Sequence, residues 1–182
     1  MIVKFLGAAA MMAALATAGT AQAQNGAARG QARTAAADSA GAHAAATGFL
    51  AAFDSLQWER FSGYMADDVT MFFPFGDTPA RVDGRAAVEA RFRTFFEGAR
   101  AAYARSGRPG EPRLGIVPQK LRIQMAGDVS IVSFELGTAN PSRRSLVFQR
   151  RGDGWKLIHW HASPSPQPAR PAQADSTARP GN

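Results

Sequence analysis

The sequence of 182 residues contains no cysteine. This absence excludes disulfide frameworks, thiol nucleophiles and cysteine-ligated zinc or iron–sulfur sites. Beyond the N-terminus, no apolar run approaches the roughly 20 residues that a membrane-spanning helix needs, so no membrane span is predicted. The formal net charge is +7, but the arginines that supply most of it are spread along the chain. We therefore interpret the charge as favouring solubility, and predict no nucleic-acid partner.

Motifs for cofactor and nucleophile chemistry are also missing. The Gly-rich segment 107–110 follows a predicted helix instead of a strand and has no lysine, so it is not a phosphate-binding loop. A Gly-x-Ser-x-Gly nucleophile elbow is absent as well. The sequence predicts no cofactor.

The first 23 residues have the pattern of a secretory signal peptide. Lys4 precedes a run rich in Ala, Met and Leu, and Ala21-Gln22-Ala23 is a small-x-small cleavage site. We expect cleavage after Ala23 and a periplasmic or secreted mature protein. The alternative, a buried or anchoring N-terminal helix, fits the short apolar run less well.

The remaining chain is predicted to form one domain between two unstructured segments. Residues 24–41 are rich in Ala, Gly, Gln and Arg and have no aromatic side chain, which predicts a disordered linker. Residues 164–182 are Pro-rich and predict a disordered tail. The domain itself is expected over 42–163.

Hydrophobic periodicity within the domain changes from helical to strand-like along the chain. Helical spacing predicts a helix over 45–64, with a break near Trp58, and a second helix over 85–104. Strands linked by turn sequences are predicted at 69–73, 119–125, 129–136, 145–151 and 155–163. This order predicts an α+β fold in which an antiparallel sheet carries the helices on one face.

Three stretches resemble the SnoaL-like, or nuclear transport factor 2-like, superfamily. Residues 64–70 (YMADDVT) look like the family's helix end running into its first strand, and 82–88 (VDGRAAV) like the start of its long helix. Residues 150–163 (RRGDGWKLIHWHAS) are most similar to the terminal hairpin of the calcium/calmodulin-dependent kinase II association domain and its bacterial relatives. The resemblance implies a cone-like, curved antiparallel sheet wrapped around the N-terminal helices, a pocket at the open end, and a homodimer formed through the outer face of the sheet.

Ketosteroid isomerase chemistry, which occurs in this superfamily, is not expected. Alignment on residues 66–68 places the family's general base at Phe73 and its oxyanion-binding tyrosine at Phe49. A phenyl ring neither accepts a proton nor donates a hydrogen bond. The isomerase mechanism therefore lacks its main groups.

The association-domain relatives hold a small carboxylate with arginines on the last two strands. The matching positions here are Leu146 and Ala162. Arg143, Arg144 or Arg150 would replace those arginines only in a different register. The predicted pocket is accordingly more apolar than that of these relatives.

His159 and His161 flank Trp160, so a regular strand places both imidazoles on one face. We interpret them as candidate acid–base groups in the cavity, with Glu135 as their partner because it interrupts an apolar strand; Asp54 is a second candidate partner. The alternatives are a structural role inside the cone, a position on the outer face, or metal binding. Zinc or iron would need a third ligand, so no metal site is predicted.

Aromatic residues recur through the helices and the first strand, and indicate either a packed core or a pocket for an apolar or planar ligand. Phenylalanine at positions where an active relative has polar groups favours the pocket. The residues assigned to this ligand pocket are Phe49, Phe53, Trp58, Tyr64, Phe73, Phe92 and Phe96.

The predicted function is an exported pocket protein that binds a small, largely apolar molecule. One alternative is an enzyme of isomerase, lyase or hydrolase type that uses His159 and His161 as acid–base groups. The other is a homo-oligomeric association module.

Overall fold

The computed structural model describes residues 10–74, 81–138, 141–152 and 154–163, with side chains from Gly26 onward except that of Ala27. The predicted Pro-rich tail, 164–182, lies outside the described residues. Within them, no helix is both long enough and apolar enough to cross a membrane.

The described residues form three helices: α1 (Ala10–Asp54), α2 (Trp58–Gly63) and α3 (Arg85–Arg105). The break predicted near Trp58 separates α1 from α2, and Leu56 at the break has a left-handed backbone with φ of 54°. Helix α1 continues through 24–41, where the composition predicts a disordered linker. Alanine is the strongest helix former, and its abundance in this segment explains the helix.

In the part of the chain that the structure describes, one sheet contains six strands: β1 (Met65–Phe72), β2 (Arg81–Asp83), β3 (Gln119–Ala126), β4 (Val129–Leu136), β5 (Ser142–Arg151) and β6 (Gly154–Ala162). Their order across the sheet is β2-β1-β6-β5-β4-β3. The short strand β2 was not predicted.

The predicted α+β fold is confirmed: α1 and α2 come first in the chain, and the rest supplies a curved sheet together with helix α3. One detail of the prediction is corrected: β1 pairs with β6 in parallel, whereas every other pairing is antiparallel. Successive strands from β3 to β6 are joined by short connections in the sequence, which favour antiparallel pairing. Helix α3 lies between β1 and these strands in the sequence, so no hairpin dictates the direction of β1.

The hydrophobic core lies between the helices and one face of the sheet, which we call the inner face. Alternation along β5 and β6 directs Leu146, Phe148 and Trp160 to this face, where they join Phe49 of α1 and Phe96 of α3 in one buried cluster. Residues one position away point to the opposite face, which we call the outer face. This division of each strand decides which side chains reach the site.

Candidate functional site

A cavity of about 610 Å³ lies between α1, α3 and the inner face of the sheet. The loop of residues 106–118, between α3 and β3, forms part of its wall. Most of the lining is apolar; its polar groups among the described lining residues are the side chains of Arg91, Thr94 and Arg144 and the buried indole N–H of Trp160. The full lining comprises Phe53, Met71, Phe73, Pro74, Arg91, Phe92, Thr94, Phe95, Leu114, Ile116, Leu136, Arg144, Trp160 and Ala162.

Interlocked rings form the floor of the cavity. Phe92 stacks on Trp160 with ring centroids 5.1 Å apart and an interplanar angle of 23°. Phe53 meets the same indole edge-on at 5.3 Å, and Phe73 lies 5.2 Å from Phe92. Such stacked and edge-to-face pairs stabilise one another beyond simple burial. The floor is therefore a preformed apolar surface of packed rings.

Asp54, the last residue of α1, holds the 106–118 loop beside the cavity through hydrogen bonds. Its Oδ1 accepts a hydrogen bond of 2.7 Å from the backbone N–H of Ile116, and its carbonyl accepts one of 2.9 Å from the N–H of Leu114. Arg113 lies 3.6 Å from Oδ2. These contacts hold the side chains of Leu114 and Ile116 in the cavity wall. Asp54 thus has a structural role, and it does not meet the histidines.

Arg144 brings a positive charge to the apolar wall. It is half-buried on β5, and burial lowers the pKa of its guanidinium from the ordinary value. Its Nη1 donates hydrogen bonds of 2.9 Å to the carbonyls of Arg143 and Ser163. No Asp or Glu in the described part of the chain forms an ion pair with it.

Three of the seven predicted pocket residues, Phe53, Phe73 and Phe92, line the cavity. The other four lie elsewhere: Phe49 and Phe96 are fully buried in the core, Trp58 lies under the guanidinium of Arg93 at 4.1 Å, and Tyr64 packs against Gly48 of α1. A sequence pattern shows that a ring is buried, but not whether it borders a solid core or empty space.

His159 and His161 share one face of β6, as predicted, but it is the outer face. Because Trp160 and Ala162 point inward to the cavity, strand alternation turns both imidazoles away from it. The expectation that they face the hollow is therefore corrected. His159 Nδ1 lies 2.7 Å from the hydroxyl of Thr70, and the Phe72 ring packs against both imidazoles.

The environment of His159 favours its neutral form. Burial is the largest cause of a lowered pKa, and the nearby positive charges of His161 and Arg81 lower it further. The predicted partner Glu135 lies apart from this pair: it forms an ion pair of 2.9 Å with Lys120 and is in register with Arg143. The structure does not bring the three predicted catalytic residues together.

Several residues that line the cavity were not among the predicted pocket residues. Arg144 alternates with Leu146 and Phe148 along a strand, and this period-two pattern would have placed it on the inner face. Leu114 and Ile116 lie in an irregular loop, and no local pattern would have identified them. In the described ranges, no three His, Asp or Glu side chains lie close enough together to hold a metal ion.

Comparison with known proteins identifies a domain family and a fold. The SnoaL-like domain family matches residues 42–168. A search of curated proteins found no match.

Solved structures share the architecture at low sequence identity. An NTF2-like protein of unknown function from Pseudomonas putida KT2440 is 18% identical, with a TM-score of 0.55 over 71% of this chain and 87% of that chain. A putative dehydratase of the NTF2-like family from Streptomyces avermitilis is 18% identical, with a TM-score of 0.56 over 70% and 95% of the two chains. A putative calcium/calmodulin-dependent protein kinase type II association domain from Thiobacillus denitrificans is 25% identical, with a TM-score of 0.50 over 69% and 94%.

Proposed function

Because the chain belongs to the SnoaL-like domain family, we propose that it binds a small, largely apolar molecule in the cavity between the helices and the sheet. The observation that carries this proposal is the cavity itself, whose volume of about 610 Å³ lies in the usual range for small-molecule sites of about 300–1,000 Å³. Phe92 and Trp160, which stack on each other, form part of the apolar lining against which a planar or aliphatic body would pack.

The lining favours binding over acid–base catalysis. No Asp, Glu, His or Tyr side chain occurs among the lining residues that the structure describes. Proton transfer needs such a group within hydrogen-bond reach of the substrate. Ketosteroid isomerase chemistry remains unexpected, since Phe73 at the position of the base lines the cavity.

A cavity-filling variant tests this function. Leu136 lines the cavity at the end of β4, so Leu136→Trp should weaken binding of the uncharged fluorescent probe N-phenyl-1-naphthylamine at least about tenfold. Ile131→Trp, on the outer face of the same strand, is the matched control and should leave the affinity unchanged. Circular dichroism and thermal unfolding establish that both variants are folded. Equal affinities in the wild type and both variants would overturn the proposal.

A second proposal concerns association between two copies through the outer face. Ile131 is 41% exposed there, and it lies in register with Val147 and, through it, with His159. The similarity to a putative association domain supports association between copies of the chain. Light scattering should give a dimer mass for the wild type and a monomer mass for Ile131→Glu, while Ala101→Glu on the exposed side of α3, away from the outer face, remains dimeric. A monomeric wild type would contradict the proposal.

We further propose that residues 1–23 are a signal peptide and that the mature protein is periplasmic or secreted. The support is the charged start, the apolar run and the Ala21-Gln22-Ala23 site in the sequence. N-terminal sequencing of the protein recovered from the cell envelope or the medium should give Gln24. A protein that keeps Met1 in the cytoplasm would contradict this proposal.

A further inference from the structure

Some N–H donors of the Arg144 guanidinium, at the edge of the cavity, have no hydrogen-bond partner in the described part of the chain. Arginine carries five N–H groups in a rigid planar fork. Both hydrogens of Nη1 are accounted for by the carbonyls of Arg143 and Ser163. The three N–H groups on Nε and Nη2 have no hydrogen-bond partner in the described part of the chain. The two carbonyls fix the orientation of the fork, and the edge formed by Nε and Nη2 is unused.

The charge of Arg144 is equally uncompensated. The polar lining consists of two arginines, a threonine and the buried indole N–H of Trp160, and contains no acidic side chain among the described residues. A cation that is half-buried in apolar surroundings loses hydration, and an anion beside it restores favourable interactions. Arg91, the other arginine, is exposed on α3. The more strongly desolvated charge in the cavity is therefore that of Arg144.

From these observations we infer that the ligand of the cavity is an apolar carboxylic acid whose carboxylate binds the Nε and Nη2 edge of Arg144. This inference rests on the proposed binding function and specifies its ligand class. The planar fork of arginine matches the two oxygens of a carboxylate, and such charge-assisted, bidentate pairs are strong and directional. The apolar skeleton then lies against the rings of Phe92 and Trp160, which form the floor of the same cavity.

The site does not coincide with the arginine positions that the resemblance to association domains implies. Those positions are Leu146 and Ala162, and both are buried and apolar. Ala162 is the cross-strand partner of Arg144. The small side chain of Ala162 leaves room beside the guanidinium, so the carboxylate site is a feature of this chain.

Two probes with the same skeleton test the inference. 2-Naphthoate and 2-naphthamide differ in charge but hardly in shape, and calorimetric titration at pH 7 gives the affinity of each. We expect the wild type to bind 2-naphthoate at least about tenfold more tightly, which is the effect of one hydrogen-bonded charge pair. This comparison needs no variant.

Variants then locate the anion site. Arg144→Met should remove the preference for 2-naphthoate while leaving the affinity for 2-naphthamide within about twofold. Arg144→Lys keeps the charge and should retain part of the preference. Arg143→Met, which removes the same charge from the outer face of the same strand, is the matched control and should behave as the wild type.

The possible outcomes separate this inference from the proposed function. Equal binding of both probes by the wild type would overturn the carboxylate assignment and leave the apolar-binding function standing. A preference that survives Arg144→Met and is lost in Arg91→Met would also overturn the assignment. Failure of both probes and of N-phenyl-1-naphthylamine to bind would refute the binding function itself.

Discussion

Phe92 and Trp160 stack face to face across the boundary between helix α3 and strand β6, with 5.1 Å between ring centroids. Both side chains are almost fully buried, and both also border the cavity. The same contact therefore joins the long helix to the sheet and forms the floor of the site. Stability and ligand binding are coupled at this pair.

Replacement of Phe92 by Ala should lower the free energy of unfolding by about 3 kcal/mol. Truncation of a large buried aromatic side chain to Ala generally lowers it by about 3–5 kcal/mol. Phe95 is the matched control, because it belongs to the same helix and lines the cavity but is only partly buried. Urea denaturation of both Ala variants measures the difference. If Phe95→Ala is as destabilising as Phe92→Ala, the stack with Trp160 does not contribute as described.

Gly48 allows helix α1 to approach Tyr64 closely. A Cβ atom added at Gly48 would overlap the Tyr64 hydroxyl and contact its ring carbon Cζ at 3.1 Å. The ring has little freedom to retreat because Phe49 packs edge-on against it at 6.0 Å. Gly48→Ala should therefore destabilise the protein, although alanine is the better helix former.

A double-mutant cycle isolates this contact. Tyr64→Phe removes the hydroxyl oxygen, so Gly48→Ala should cost much less in that background and approach the gain of about 0.5–1 kcal/mol that alanine brings to a helix. Thermal unfolding of the wild type, the two single variants and the double variant measures the coupling. Additive effects would show that the overlap is not the source of the cost.

Asp54 is expected to hold the cavity wall through a hydrogen bond more than through its charge. Asp54→Ala leaves the N–H of Ile116 without its acceptor and should cost about 1–3 kcal/mol. Asp54→Asn keeps an acceptor oxygen for the N–H of Ile116 and loses only the ion pair with Arg113. Because Arg113 is exposed, this ion pair contributes little to the free energy of unfolding. Amide hydrogen exchange at Ile116 should be accelerated in Asp54→Ala and nearly unchanged in Asp54→Asn. Equal acceleration in both variants would assign the effect to the charge.

The elements of the fold were largely predictable, because they depend on local periodicity. The strand predicted at 129–136 coincides with β4, and the helix predicted over 85–104 is α3 to within one residue. The parallel pairing of β1 with β6 depends on contacts between residues such as Thr70 and His159, which are far apart in the sequence. No local pattern carries that information.

The site was only partly predictable for the same reason. Alternation placed His159 and His161 on one face, but the choice of inner or outer face is made by Trp160, whose large apolar ring is buried in preference to either imidazole. Similarly, Phe92 borders the cavity while Phe96, one helical turn later, lies in the solid core. Tertiary packing decides between these positions.

The outer-face histidine gives the fold a dependence on pH. In the folded protein, burial lowers the pKa of His159 below its usual value of about 6.5. The unfolded state therefore binds more protons between the folded pKa and about pH 6.5, and stability rises with pH across that window.

Acidification from pH 8 to pH 5 should lower the thermal midpoint of the wild type. The variant His159→Gln should reduce this decrease, because its amide stays neutral and can still accept a hydrogen bond from Thr70. His43→Gln, on the exposed side of α1, is the matched control and should follow the wild-type curve. If the His159→Gln midpoint falls as steeply as that of the wild type, His159 is not the group that links stability to pH.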